Sequence, residues 1–91
     1  MVKKRSRIEV IHNILSMVKD NKNSIKSTPL LRYSNLSSQR FSKYLKELLE
    51  KDFIKEIPGK YGKRYYSLTD KGFRFLEKYE SIKNLISDFD L

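Results

Sequence analysis

The sequence contains no cysteine and only one histidine among its 91 residues. Without cysteine, a disulfide framework and a thiolate metal site are both excluded. No apolar run approaches the ~20 residues that a helix needs to span a bilayer. The basic N-terminal stretch is not followed by the uninterrupted apolar segment of a secretory signal. We therefore expect a cytoplasmic chain without a membrane partner, a metal or a cofactor.

Residues for catalysis are equally scarce. Gly59 and Gly62 lack the Gly-Lys-Ser/Thr ending and the strand-to-helix context of a phosphate-binding loop. The single histidine, His12, lies beside an apolar stripe of helical spacing, so we expect it to pack rather than to react. The carboxylates are mostly spread beside lysine and arginine, as in solvated ion pairs. The sequence therefore indicates a protein that is not an enzyme. The stripe consists of Ile8, Ile11, Ile14, Leu15 and Val18.

Positive charge is abundant and unevenly distributed. The formal net charge is +9 at pH 7. Residues 1–64 hold 16 Lys and Arg against 6 Asp and Glu, a net +10, whereas residues 65–91 hold 4 against 5, a net −1. A basic body with a near-neutral tail indicates a polyanion-binding surface on the first two-thirds of the chain. A lysine-rich solubility surface is the alternative, so charge alone does not decide.

Helix and strand signals predict a single domain over residues 1–91. The predicted elements are helices over residues 6–20, 29–34, 38–51 and 70–89, and a two-stranded hairpin over residues 53–68. A short helix, a tight turn and a longer helix form a helix-turn-helix. The hairpin that follows is a wing. We expect an α+β fold, mostly α, with a three-helix core, the wing and a C-terminal helix.

Capping and turn residues support these boundaries. Pro29 is expected at the first position of the second helix, and Asn35 and Asp52 stand where a left-handed backbone is wanted. Gly72 lies in the first turn of the last helix, where it costs about 1 kcal/mol against Ala. Close approach of another element would explain this glycine. The predicted N-caps are Ser6, Thr28, Ser37 and Thr69.

The predicted third helix has two chemically different faces. At 100° per residue, Phe41 and Leu48 fall on an apolar side, while hydrogen-bonding groups and cations fall on the other. Such a helix is suited to a DNA major groove, where Gln39 can pair with adenine and Lys43 can donate to guanine. Lys46 is better placed for phosphate. This is the expected recognition helix.

Two further segments supply cations for a DNA backbone. Lys26 and Thr28 start the second helix, where anions bind well. The wing loop is glycine-punctuated and basic, suited to phosphates or the minor groove, and its Tyr61 either stacks on a partner or packs at the hairpin tip. The predicted DNA-binding residues are Lys26, Thr28, Ser38, Gln39, Arg40, Ser42, Lys43, Lys46, Lys60, Tyr61, Lys63 and Arg64.

The last helix carries a second apolar stripe at 4-3-4-3 spacing. It is heptad-like over about two heptads, fewer than the three or four typical of a coiled coil. A small monomer would have difficulty covering both this stripe and its own core face, so we expect a homodimer through it. The alternative is that the stripe packs on the first helix of the same chain. The predicted interface residues are Phe75, Tyr79, Ile82, Ile86 and Phe89.

Four separated segments also resemble, in order, the archaeal winged helix-turn-helix regulators. They are Asn35-Leu36-Ser37, Tyr44-Leu45…Leu48-Leu49, Asp52-Phe53-Ile54 and Leu68-Thr69-Asp70-Lys71-Gly72…Leu76. That group includes archaellum-gene regulators, small chromatin-associated dimers and proteins of crenarchaeal viruses. The resemblance covers about residues 6–80 and departs from the pattern at Asp52, where glycine is usual. It implies a homodimer that binds double-stranded DNA and pairs through its C-terminal helices.

The expected function is therefore a nucleoid-associated transcriptional regulator that reads half-sites with its third helix. Three alternatives stay open on the sequence alone. The chain could be a non-specific architectural or chromatin protein, a winged-helix module that binds another protein, or an RNA-binding domain that stacks exposed tyrosines on bases.

Overall fold

The computed structural model describes residues 6–91, and residues 1–5, the charged start of the predicted domain, lie outside the described residues. Its elements are α1 (Arg7–Asp20), β1 (Ile25–Lys26), α2 (Ser27–Ser34), α3 (Ser38–Glu50), β2 (Ile54–Pro58), a 3-10 turn (Lys60–Gly62), β3 (Arg64–Leu68) and α4 (Asp70–Asp88). This is the mostly helical α+β winged-helix architecture that the sequence predicts.

Three helices begin at the capping residues identified in the sequence. The Ser6 hydroxyl accepts a hydrogen bond from the Glu9 backbone N–H at 3.2 Å. The hydroxyls of Ser37 and Thr69 accept in the same way from the third residue after each of them, at 3.3 Å and 3.1 Å. Each bond satisfies a backbone donor that has no partner within its helix. The predicted caps of α1, α3 and α4 are confirmed.

The start of α2 differs from the prediction. The helix begins at Ser27, Lys26 takes the N-cap position, and the prediction that Thr28 caps it with Pro29 in the first position is wrong. The cause is β1: Ile25 and Lys26 pair with β3, so the chain turns from strand directly into helix. Pro29 still lies in the first turn, where a backbone N–H has no helical acceptor.

The three strands form one antiparallel sheet in the order β1-β3-β2. β2 and β3 make the wing hairpin, with Ile54 opposite Leu68 at its base and Pro58 opposite Arg64 near its tip. The extended piece expected near Ile25 adds the third strand. β3 therefore lies in the centre and connects the wing to the start of α2.

The core lies between the helices and one face of this sheet. Its buried side chains are Val10, Ile11, Ile14, Leu15, Val18, Ile25, Leu30, Phe41, Leu48, Ile54, Tyr66, Leu68 and Leu76. Fully burying a Leu, Ile or Phe side chain stabilises the folded state by roughly 1.5–3 kcal/mol. This cluster therefore supplies most of the driving force for folding. Ile8 was expected in the α1 stripe but is 56% exposed, while Val10 is buried.

Backbone conformation at three positions agrees with the sequence. Asn35 ends α2 at φ 58° and ψ 32°, and Asp52 follows α3 at φ 64°. Both are left-handed conformations that Asn and Asp tolerate better than most residues. A Cβ on Gly72 would collide with the Phe53 carbonyl oxygen, so the close approach expected there is present.

The two halves of α4 have different surroundings. Leu76 is buried in the core, and the ring of Phe75 meets that of Phe53 edge-on, with 5.5 Å between centroids. Every residue from 81 to 91 is exposed, so the second half projects from the domain. Among the helices of residues 6–91, none combines the length and apolar character needed to cross a membrane.

Candidate nucleic-acid interface

The outer face of α3 presents the groups predicted to contact DNA. Phe41 and Leu48 fix the helix to the core, with 3% and 1% exposure. On the opposite side, four side chains line one shallow, open depression, and all four are exposed. Arg40 and Lys46 are exposed on the same helix. The four are Ser38, Gln39, Ser42 and Lys43.

A second depression, of about 280 Å³, shares Lys43 with the first and is also lined by Arg40. Here the Arg7 guanidinium donates to the Glu47 carboxylate, and Lys51 Nζ lies 3.7 Å from the same oxygen. Two cations therefore offset the negative charge of Glu47. Arg7 was not among the predicted residues. Its partner is 40 positions away, and no local pattern signals such a contact.

The tip of the wing is formed by a residue in an uncommon conformation. Tyr61 has φ 60° and ψ 35°, and its side chain is 95% exposed. The expected alternative that Tyr61 packs at the hairpin tip is therefore wrong. A left-handed backbone costs roughly 1–2 kcal/mol for a residue with a Cβ. Lys60 and Lys63, on either side of it, are exposed.

The wing cations differ in their partners. Arg64 Nη1 lies 3.6 Å from a Glu56 carboxylate oxygen across the hairpin. The Tyr66 hydroxyl donates to the same carboxylate at 3.5 Å. Burial and then the nearby negative charge of Glu56 raise the pKa of Tyr66, and Arg64 opposes that increase. Arg64 is thus paired with a carboxylate, whereas Lys60 is exposed at the tip.

Lys26 is brought to the base of the wing by the sheet. Its strand pairs it with Tyr65, and its Nζ lies 5.7 Å from the centre of the Tyr65 ring. Contact with Lys26 and repulsion between the two ammonium groups, with a smaller effect of desolvation, lower the pKa of Lys63. Thr28 is exposed in the first turn of α2. The sheet thus places Lys26 opposite Tyr65, two residues from Lys63, although the sequence predicts the two lysines on separate segments.

The predicted dimer residues on α4 fall into two groups. Phe75 and Tyr79 contact their own chain: Phe75 meets Phe53, and the Tyr79 ring stacks on His12. Tyr79 therefore fits the alternative of packing on the first helix, whereas Phe75 packs on the segment between α3 and β2. The remaining three residues are exposed together with Leu85 and Leu91. The three are Ile82, Ile86 and Phe89.

His12 lies in a groove between α1 and α4, as a packing residue. Its ring is stacked on Tyr79, its Nε2 is 3.3 Å from the Ser16 hydroxyl, and a Glu80 carboxylate oxygen is 3.9 Å away. Over residues 6–91, no group of three or more His, Cys, Asp or Glu side chains is arranged to hold a metal ion.

A helix-turn-helix with a polar outer face, followed by a basic hairpin, defines a winged helix-turn-helix protein. The chain belongs to the winged helix-turn-helix family, whose model matches residues 4–87. The family predicted from the four motif segments is thereby confirmed.

One curated relative matches most of the chain. It is 36% identical over 83 residues to an uncharacterized protein of Methanocaldococcus jannaschii, and the match covers 91% of this chain. The chain spans about a third of that relative, since the match covers 36% of its length.

Two solved structures share the fold. One is Sso10a-2, a DNA-binding protein from Sulfolobus solfataricus, with a TM-score of 0.73 and 16% identity over 93% of this chain and 85% of that one. The other is F93 from STIV, a winged-helix DNA-binding protein, with a TM-score of 0.71 and 19% identity over 87% and 90%.

Proposed function

We propose that this chain binds double-stranded DNA as a homodimer and regulates transcription. One observation carries the proposal: α3 presents Ser38, Gln39, Ser42 and Lys43 together in an open depression, on a helix fixed by buried residues behind it. A rigid helix with exposed hydrogen-bonding groups can enter a major groove without losing core contacts.

Each group on α3 has a role that its chemistry supports. The Gln39 amide can make the bidentate pair with adenine, and the Lys43 ammonium can donate to the acceptor atoms of guanine. The hydroxyls of Ser38 and Ser42 reach base edges or phosphates. Lys46, in the C-terminal half of the helix, neutralises phosphate charge, as does Arg40 in the adjoining depression.

The wing and the start of α2 supply backbone contacts. Lys60, Lys63 and Arg64 lie around a hairpin that projects from the sheet, and cations of this kind bind phosphates or enter a narrow minor groove. Tyr61 offers an exposed ring at the tip for a base or sugar. The excess of positive charge in residues 1–64 supports the same surface.

The projecting end of α4 supports a dimer. Ile82, Ile86 and Phe89 continue a heptad-like spacing and are exposed in the single chain. A second copy of this helix would cover them, because an a/d-like stripe is complementary to itself. Two α3 helices in a two-fold dimer would then meet half-sites about one helical turn apart, roughly 34–36 Å, or a multiple of this.

The relatives support DNA as the partner, since Sso10a-2 and F93 are both described as DNA-binding proteins. A winged-helix module for protein partners would not need basic charge on both α3 and the wing. DNA binding also implies association with the nucleoid and requires no catalytic step.

An architectural DNA-binding protein is the second candidate. The observation that favours it is the ratio of side chains: cations suited to phosphate outnumber the two groups best suited to reading bases, Gln39 and Lys43. Backbone contacts position a protein on DNA and carry no sequence information directly.

Binding to duplex DNA across a salt series separates these candidates. The measurement compares random duplexes with a pool selected for binding, and includes single-stranded RNA as competitor. A regulator gives a steep salt dependence and a clear preference for selected sequences. A steep dependence without preference indicates the architectural role, and preference for RNA or absence of binding at low salt contradicts the proposal.

A further inference from the structure

We propose that Lys26 and Lys63 form a single site for one phosphate group of the DNA backbone, at the junction of the wing with α2. This inference rests on the proposed function and refines it, because the two lysines would otherwise be separate contacts on separate segments. The ligand chemistry is a phosphodiester anion held between two ammonium groups.

The sheet brings the two lysines together. β1 pairs with β3 so that Lys26 is opposite Tyr65, two residues after Lys63. The Lys63 carbonyl accepts the Gly59 backbone N–H at 2.6 Å, which fixes the backbone of Lys63 at the base of the wing loop. Lys63 precedes β3 with an extended backbone, φ −76° and ψ 146°, so the two lysines are diagonal neighbours on one face of the sheet.

The Tyr65 ring positions the Lys26 ammonium. Lys26 Nζ lies 5.7 Å from the ring centre, within the range of a cation–π contact. The ring itself lies against Gly59, where a Cβ would collide with it. Tyr65 is therefore a positioning residue that directs Lys26 toward the wing, and Gly59 leaves room for it.

An anion bound between two neighbouring ammonium groups would offset their mutual repulsion. In the free protein, contact with and repulsion from Lys26 lower the pKa of Lys63, so the positive charges oppose each other. A phosphate between them replaces that repulsion with two charge-assisted hydrogen bonds. No described carboxylate forms an ion pair with either lysine within residues 6–91, whereas Arg64 pairs with Glu56. The pair is thus open to an external anion.

Salt dependence distinguishes one shared phosphate from two. The logarithm of affinity falls with the logarithm of salt concentration by about 0.9 per neutralised phosphate on B-DNA. With a shared phosphate, Lys26→Met or Lys63→Met alone leaves one ammonium in place, so the slope changes by much less than 0.9. The double variant lowers the slope by about 0.9 in total.

A control pair of lysines should show additive effects on the salt slope, as expected for two separate phosphates. Lys46 on α3 and Lys60 on the wing are proposed as independent contacts, so the effects of Lys46→Met and Lys60→Met on the slope should add. If Lys26→Met and Lys63→Met also add, to about 1.8 in the double variant, the shared site is wrong. If the double variant has the wild-type slope while Lys46→Met does not, the shared site is wrong and DNA binding stands.

A second measurement does not depend on duplex DNA. Titration with inorganic phosphate, followed by NMR of ¹³C-methylated lysines, should shift the Lys26 and Lys63 signals together with one affinity, and the Lys55 signal much less. Tyr65→Leu should weaken this response and Tyr65→Phe, which keeps the ring, should preserve it. Independent or absent shifts overturn the site. Shifts with free phosphate but a wild-type duplex slope in the double variant overturn DNA as the source of the phosphate.

Discussion

The imidazole ring of His12 on α1 lies stacked on the phenol ring of Tyr79 on α4, with 4.0 Å between centroids and 18° between planes. This pair marks the point where α4 leaves the domain, because the helix is exposed from residue 81 onward. The direction of the projecting end, and thus the geometry of any dimer built on it, depends on this contact.

Loss of the Tyr79 ring should destabilise the fold. Tyr79→Ala is expected to lower the free energy of unfolding by about 1–2 kcal/mol, because aromatic pairs contribute 0.5–1.5 kcal/mol beyond the area they bury. Tyr79→Phe keeps the ring and should lose less. Chemical denaturation at one fixed protein concentration measures this. Lys78→Ala, at the neighbouring exposed position, is the control and should lie within about 0.5 kcal/mol of wild type. If Tyr79→Ala is no more destabilising than Lys78→Ala, the role of the stack is contradicted.

Gly72 should not tolerate a side chain, despite its position in a helix. Gly72→Ala gains about 1 kcal/mol of helix propensity, but its Cβ would collide with the Phe53 carbonyl oxygen, a backbone atom that cannot rotate away. We expect a net loss of roughly 2–3 kcal/mol in the free energy of unfolding, at the upper end of overpacking costs.

Gly62 provides the comparison for this variant. A Cβ on Gly62 meets open space but the backbone is left-handed at φ 73°, so Gly62→Ala should lose about 1 kcal/mol. Thermal unfolding of Gly72→Ala and Gly62→Ala measures the stability of each variant relative to wild type. A Gly72→Ala protein that is more stable than wild type would show that propensity, not the contact with Phe53, governs the site.

The sequence predicts those features that depend on neighbours along the chain. Short-range sequence patterns predict the helix caps and the left-handed turns, because each depends on a few adjacent residues. These features are the caps at Ser37 and Thr69 and the turns at Asn35 and Asp52. Even the close contact at Gly72 follows from a glycine in an unfavourable position. The helix-turn-helix and the wing could therefore be predicted from the sequence alone.

Features set by distant contacts could not be predicted. α2 begins earlier than expected because Lys26 pairs with a strand about 40 positions later. The ion pair of Arg7 with Glu47 and the contact of Lys26 with the Tyr65 ring likewise join separate segments. Helical periodicity also does not predict how much of a helix packs on its own domain. The sequence therefore did not predict that the α4 stripe divides into packed and exposed parts after Tyr79.

Charge on the projecting stripe of α4 should prevent dimer formation. Ile82→Glu and Ile86→Glu each place a carboxylate in the proposed apolar seam, where burying an unpaired charge is strongly unfavourable. Sedimentation should show the variants at the monomer mass of 10.9 kDa and the wild type at twice that value. Lys83→Glu is the control, since Lys83 lines the groove between α1 and α4 instead. A wild-type mass for both isoleucine variants would remove the stripe from the interface.

The Lys63 ammonium should lose its proton at a lower pH than an isolated lysine. Its pKa is lowered by contact with and repulsion from Lys26. Because the charge of Lys26 disfavours the protonated form of Lys63, removing that charge raises the pKa of Lys63. Lys26→Met should therefore raise the pKa of Lys63, and Lys55→Met should leave it unchanged, as followed by NMR of ¹³C-methylated lysines. An unchanged Lys63 titration in Lys26→Met would contradict their proximity.

The most direct test of the central claim compares two α3 lysines on two DNA sequences. Affinities of wild type, Lys43→Ala and Lys46→Ala are measured for a selected duplex and for a scrambled duplex of the same composition. If α3 reads bases, Lys43→Ala loses about 1–3 kcal/mol on the selected duplex and little on the scrambled one. Lys46→Ala then weakens both alike and reduces the salt slope by about one unit. Equal losses for both variants on both duplexes would contradict sequence reading by α3.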